Sequence, residues 1–313
     1  MDQIASIMVV TSLLALGLNG PAQAQLGRTF ISANGSDGNP CSRAQPCRTL
    51  LGAYDQTNAG GEINVLDPAG YGTLTIGKSI SIVNDGVGSA GVLVPAGSDG
   101  IVISAGASAV VNLRGLVIEG AGQGQNGITF LSGQTLTIEN CVIRGLTGKG
   151  IKIETESALM LAVSNTLVAD NGNIGIHIMT TGSNPLKAAF NRVEIHGNGS
   201  HGLLVDGRAS IGNIAATAVD SVLAYNGAAG VFAASTSGSS PTTITVVLST
   251  SSHNATGLQV GSDNAVIRLG RSSVTGNNAG WTAFPGGSLL SYGDNYIDGN
   301  GGGESAPPGT PTK

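Results

Sequence analysis

Residues 150–178 read GIKIETESALMLAVSNTLVADNGNIGIHI. The segment opens on Gly150-Ile151 and ends on a second copy of its own beginning, Gly175-Ile176. Apolar residues alternate at Ile151 and Ile153, the signature of a short strand with one buried face. A polar stretch follows, then a second apolar set at Val163, Thr166 and Val168, and Asn171 stands just before the next glycine. Strands this short leave no room for helical crossovers. The chain must corner and return beside itself one rung higher, which winds parallel sheets into a coil.

Working outward, the glycine–apolar pair recurs as Gly100-Ile101, Gly127-Ile128, Gly202-Leu203, Gly230-Val231, Gly257-Leu258 and Gly280-Trp281, always 23 to 28 residues from its neighbour. A period of that size is one supersecondary unit stacked many times. The second apolar set returns as Ile138–Cys141–Ile143, Phe190–Val193–Ile195 and Leu269–Ser272–Val274, and the asparagine as Asn198, Asn226, Asn254 and Asn277. Asparagine tolerates left-handed backbone and stacks into ladders, so the sequence places it at one corner of five coils. Glycine is expected to supply positive φ at the next corner. Parallel connections are right-handed almost without exception. The expected fold is all-β: a single-stranded right-handed parallel β-helix over 61–300, of about nine or ten coils spaced roughly 4.8 Å apart.

The ends differ from the coils. Residues 1–24 carry an apolar run broken by Asn19-Gly20-Pro21 and followed by Ala22-Gln23-Ala24, the pattern of a cleaved signal peptide, although no Lys or Arg precedes it. An exported protein, periplasmic or extracellular, is therefore expected. No later run is long enough to span a membrane. Residues 25–60 are expected to form a cap with a strand, a turn-rich loop and a short helix from Pro46 that shields the open end of the first coil. In an oxidising compartment Cys41 and Cys47 can close a small loop worth roughly 2 kcal/mol, and Cys141 belongs in the core. Residues 301–313, rich in Gly, Pro, Ser and Thr, are expected to be a disordered tail.

Several stretches resemble the right-handed parallel β-helix proteins of the pectate-lyase-like class, in particular its small exported bacterial members. They are TFISANGSDGNPCSRAQPCRTLLGA (29–53), GGEINVLDPAGYGTLTIGKSISIV (60–83), the recurring N-x-x-(x)-G-I corners and LLSYGDNYIDGN (289–300). The class includes polysaccharide lyases, glycoside hydrolases, epimerases, tailspikes and adhesins. The resemblance therefore implies a polysaccharide or cell-surface glycan as partner, contacted along one sheet. Its hydrolases carry clustered aspartates and a Gly-His-Gly segment, whereas this chain offers only Ser200-His201-Gly202. Its calcium-dependent lyases need a dense set of acidic ligands, so no cofactor is expected unless the protein is a lyase.

The candidate catalytic residues follow from the repeat. Lys152 and His177 occupy the position after Gly-Ile on consecutive rungs, while Glu154 and Asp206 lie two rungs apart, roughly 10 Å. That is slightly beyond the separation of about 6.5–9.5 Å used by an inverting glycosidase. Arg208 is near enough to join them. Phe232, Gln259 and Trp281 are the candidate binding residues. With one Trp, five Tyr and five Phe in 313 residues, an aromatic-lined sugar cleft is not expected. A net charge of −5 with no basic cluster argues against nucleic acid. No metal site is expected. The leading expectation is a non-catalytic surface or carbohydrate-contacting scaffold; the alternative is a polysaccharide lyase or glycoside hydrolase acting on an acidic glycan.

Overall fold

A computed structural model describes residues 26–310. The expected signal peptide at 1–24 and the last three tail residues, 311–313, lie outside the described residues. The chain forms three parallel sheets of 11, 10 and 9 strands, called sheets 1, 2 and 3 in the order each coil visits them. One coil is enough to show the path. Leu159–Ser164 lies in sheet 1, Leu167–Ala169 in sheet 2 and Ile176–Thr180 in sheet 3. Each strand pairs only with its equivalents in the preceding and following coils, with Ile151↔Ile176 and Ile176↔Leu203 as examples. Like residues therefore stack in columns, and the inward columns of Ile, Leu and Val fill the interior.

The corners correct the expectation drawn from asparagine and glycine. Asn171, Asn198, Asn226, Asn254 and Asn277 follow the corner instead of making it. Positive φ falls one residue earlier, at Asp170, Gly197, Tyr225, His253 and Gly276. A second left-handed column, between sheets 1 and 2, runs through Asn140, Asn165, Arg192, Asp220, Leu248 and Arg271. The asparagines are buried, and each donates its side-chain amide to the next carboxamide oxygen, at 2.9 Å for Asn171 to Asn198 and 2.9 Å for Asn198 to Asn226. The glycine of each Gly–apolar pair serves space, not dihedral freedom. A Cβ on Gly175 would sit 2.6 Å from Ile195 Cγ2 and 2.8 Å from Asn198 Nδ2.

A shorter hydroxyl ladder runs beside the core, in which Ser221, Ser249 and Ser272 each accept the backbone N–H of the coil before. Cys141 stands in the same column, free and buried, and burial pushes its thiol up to about 11.

At the amino-terminal end, strand Leu26–Ile31 adds to the edge of sheet 1. The capping helix is present but begins at Leu50, where Thr49 accepts the Gly52 N–H, and runs to Gln56. Cys41 and Cys47 are joined in a disulfide. The carboxy-terminal end departs from expectation. Residues 301–310 pack across the last coil: Ser291 N donates to Pro308 O at 2.9 Å, Thr310 N donates to Ser291 O at 2.8 Å, and Pro307 is buried. The segment expected to be a free tail is thus folded through Thr310, because the last strands leave backbone groups that need partners. Among the described residues, no helix is long and apolar enough to cross a membrane.

Candidate functional site

Sheet 3 presents the outward positions singled out by the repeat, in a register that joins Val102, Thr129, Lys152, His177, Leu204, Phe232, Gln259 and Thr282 in one column. Lys152 and His177 are one rung apart. Glu154 and Asp206 are two, with Met179 between them. The sequence-derived spacing therefore holds, but the environment differs from a row of solvated charges. Outward-facing His177 and Asp206 are 7% and 5% exposed, which places both in a small covered patch instead of open solvent. Ile174, Leu204 and Ala234 form a satellite apolar cluster with Phe232 on this face.

Each carboxylate is already held by a cation from its own strand or turn. Arg208 grips Asp206 with two side-chain bonds, Nε to Oδ1 at 2.9 Å and Nη2 to Oδ2 at 2.6 Å, and its backbone N–H adds a third. Burial alone would raise the Asp206 carboxyl; the Arg208 hydrogen bonds outweigh it and hold the group well below the usual carboxylate range. Glu154 pairs with the Lys152 ammonium, which lowers its carboxyl as well.

His177 contrasts with both. Its Nε2 stands 3.9 Å from Asp206 Oδ2, beyond hydrogen-bond reach, and neither ring nitrogen has a hydrogen-bond partner among the described residues. A buried imidazole always carries at least one N–H, so an orphaned ring here is costly unless something outside the chain meets it.

Two further residues belong to the patch: Lys149, which sequence reasoning missed, and His201, which it named only for falling short of a Gly-His-Gly segment. They occupy the column just before the Gly–apolar glycines, which the search for chemistry on the strand itself passed over. Lys149 is half-buried, and its ammonium forms no ion pair within 4.0 Å among the described residues; its backbone N–H donates to Asn126 Oδ1 at 3.0 Å. Burial lowers its pKa, and the neighbouring Lys152 lowers it further against the opposing pull of Glu154 and Asp206. His201 accepts the Ala229 N–H on Nδ1 at 3.1 Å, which fixes that nitrogen as unprotonated and leaves the ring neutral. Burial, then His177 and Arg208, lower its pKa. Its ring lies 5.1 Å from that of Phe232. On the amino-terminal side, Asp99 accepts from Asn126 and Thr129.

The expected binding residues divide. Phe232 and Gln259 do face outward on consecutive rungs. Trp281 does not. It continues the inward column Val231, Leu258, Trp281, packs against the core and donates its indole N–H to Ser305 O at 2.8 Å. Its place in the Gly–apolar pair already demanded an inward side chain, and a last coil with no successor needs a large lid. Among the described residues, no three His, Cys, Asp or Glu side chains are grouped to hold a metal ion.

A family model described as "Right handed beta helix region" matches residues 99–303. Two solved structures share the architecture. The crystal structure of pectate lyase Pel9A superposes with a TM-score of 0.57 at 16% identity, covering 84% of this chain and 74% of that one. Geobacillus virus E2 ORF18 superposes with a TM-score of 0.52 at 13% identity, covering 76% of this chain and 52% of that one. At such identities the likeness is one of fold. No curated protein matches by sequence.

Proposed function

We propose, from the premise that this chain belongs to the right-handed β-helix family, that it is an exported, non-catalytic scaffold contacting carbohydrate through the sheet 3 face around Lys149, Lys152, His177 and Phe232. One observation carries the reading: both candidate carboxylates are held ionised by their own cations, Asp206 by Arg208 and Glu154 by Lys152. A general acid needs a raised pKa near its working pH, and a general base needs a free lone pair toward substrate. Neither carboxylate has the raised pKa, and both oxygens of Asp206 are taken up by Arg208. The same face offers an unpaired ammonium, an unpartnered imidazole and an aromatic ring, the groups that bind a sugar without transforming it. The Cys41–Cys47 disulfide supports an oxidising destination.

The test offers the purified protein a panel of acidic and neutral polysaccharides, with and without calcium. It follows the ultraviolet absorbance of unsaturated uronate, reducing-end release, and binding by calorimetry. Binding with flat absorbance and no reducing ends is expected. Calcium belongs only to the second reading, in which the chain is a lyase or hydrolase. The orphaned His177 beside Asp206 favours it, as an imidazole free to move a proton with Lys152, Glu154 and Arg208 around it. Turnover that disappears in His177→Gln with folding intact would establish that reading in place of the first.

A further inference from the structure

The charges on sheet 3 are few, and their pairing limits what a glycan on this face can carry. Of its three cations around the patch, Lys152 is committed to Glu154 and Arg208 to Asp206. Lys149 forms no ion pair within 4.0 Å among the described residues; Glu154 and Asp206 act on it only from farther away, each already held by its own cation. Two rungs toward the amino terminus, in the same column as Lys149, stands the Asp99 carboxylate. Toward the carboxy terminus the outward column continues as Phe232, Gln259 and Thr282, with no cation. A polyanion laid along the axis would meet one free ammonium, a like charge at one side and nothing to neutralise it at the other. Like charges brought together in a partly buried site repel, and acids left unpaired lose hydration without return.

Resting on the glycan reading above, we infer that the ligand is a sparsely charged glycan, a chain of mostly neutral sugars bearing a single acidic unit. The acid sits on the Lys149 ammonium. The orphaned His177 ring, more than nine-tenths buried and turned into the patch, meets a sugar hydroxyl, which can both donate and accept a hydrogen bond. Two rungs farther, a neutral ring packs its apolar face on Phe232, which His201 props at 5.1 Å.

The experiment compares three forms of one oligosaccharide by calorimetry: cellohexaose left neutral, cellohexaose carrying one glucuronate, and hexaglucuronate. The same trio on a galactan backbone runs beside it. The singly charged form is expected to bind about tenfold more tightly than either of the others, and its affinity should fall with salt as one released counterion requires, not several. In Lys149→Met, which keeps the buried stem, the singly charged and neutral forms should bind alike. In Phe232→Ala all forms should weaken together. If the fully charged form binds as tightly as the singly charged one, this inference is wrong while the glycan reading stands. If no form binds to the folded protein, the glycan reading falls and takes the inference with it.

Discussion

Leu248 holds a φ of 52° at a corner where the equivalent positions are Asn140, Asn165 and Asp220, and its branched side chain is 46% exposed. A left-handed backbone costs an ordinary L-residue roughly 1–2 kcal/mol, a cost asparagine largely avoids. Leu248→Asn should therefore stabilise the protein by about 1 kcal/mol, seen as a higher urea midpoint at unchanged slope. Asp206 makes the opposite kind of prediction. Its folded-state carboxyl is depressed, so the stability it contributes is present above the ordinary aspartate value near 3.9 and is lost as pH falls toward its folded value. Asp206→Asn should be less stable than the parent by about 1–2 kcal/mol at neutral pH, a modest figure because Arg208 is exposed. The gap should close in denaturation curves taken progressively below about pH 4. The sequence put Arg208 near Asp206 but showed neither the corner nor the depth at which the clamp is buried. Leu248, Arg192 and Arg271 carry no turn chemistry, and tertiary pairing above and below overrides their preference. The burial of Asp206 was not legible either, because an outward strand position reads as solvent-facing.

Ladders are where the sequence was most informative, because a column needs the same residue type at the same place in every coil. Asn226 sits in the middle of the asparagine ladder: its oxygen accepts the Asn198 N–H and side-chain amide, and its own amide donates to Ile195 O and Asn254 Oδ1. Replacing it with alanine strands several buried groups at once and should cost about 3 kcal/mol. Asn300, at the open end and half-buried, accepts from Asn277 and donates to Val274 O, with no carboxamide beyond it to lose. Asn300→Ala should cost about half as much, and thermal melts of the two variants side by side would check the ordering. The sheet 3 column was equally legible, since the rule that placed Ile151 inward placed Lys152 outward. The rule failed where it was not applied: Trp281 stands in the inward position, yet its size and aromatic face invite a binding role.

For the molecule as a whole, the two ends matter most, since a stack of coils frays from an uncovered face. The carboxy-terminal segment was illegible because its composition is that of a linker, while the need it meets belongs to the last coil. A chain ending at Asn300 would lose the Trp281–Ser305 bond and the strand laid on Ser291. It should melt several degrees lower, and amide exchange should accelerate first between 277 and 297. The register has one more consequence, concerning time. Every strand of the coils pairs with partners one coil earlier and one coil later, so no coil waits for a distant part of the chain. As the polypeptide leaves a ribosome or a translocation pore, each newly emerged turn finds its template already in place. Folding can then proceed in one direction at the pace of delivery, with the helix-covered end as its seed.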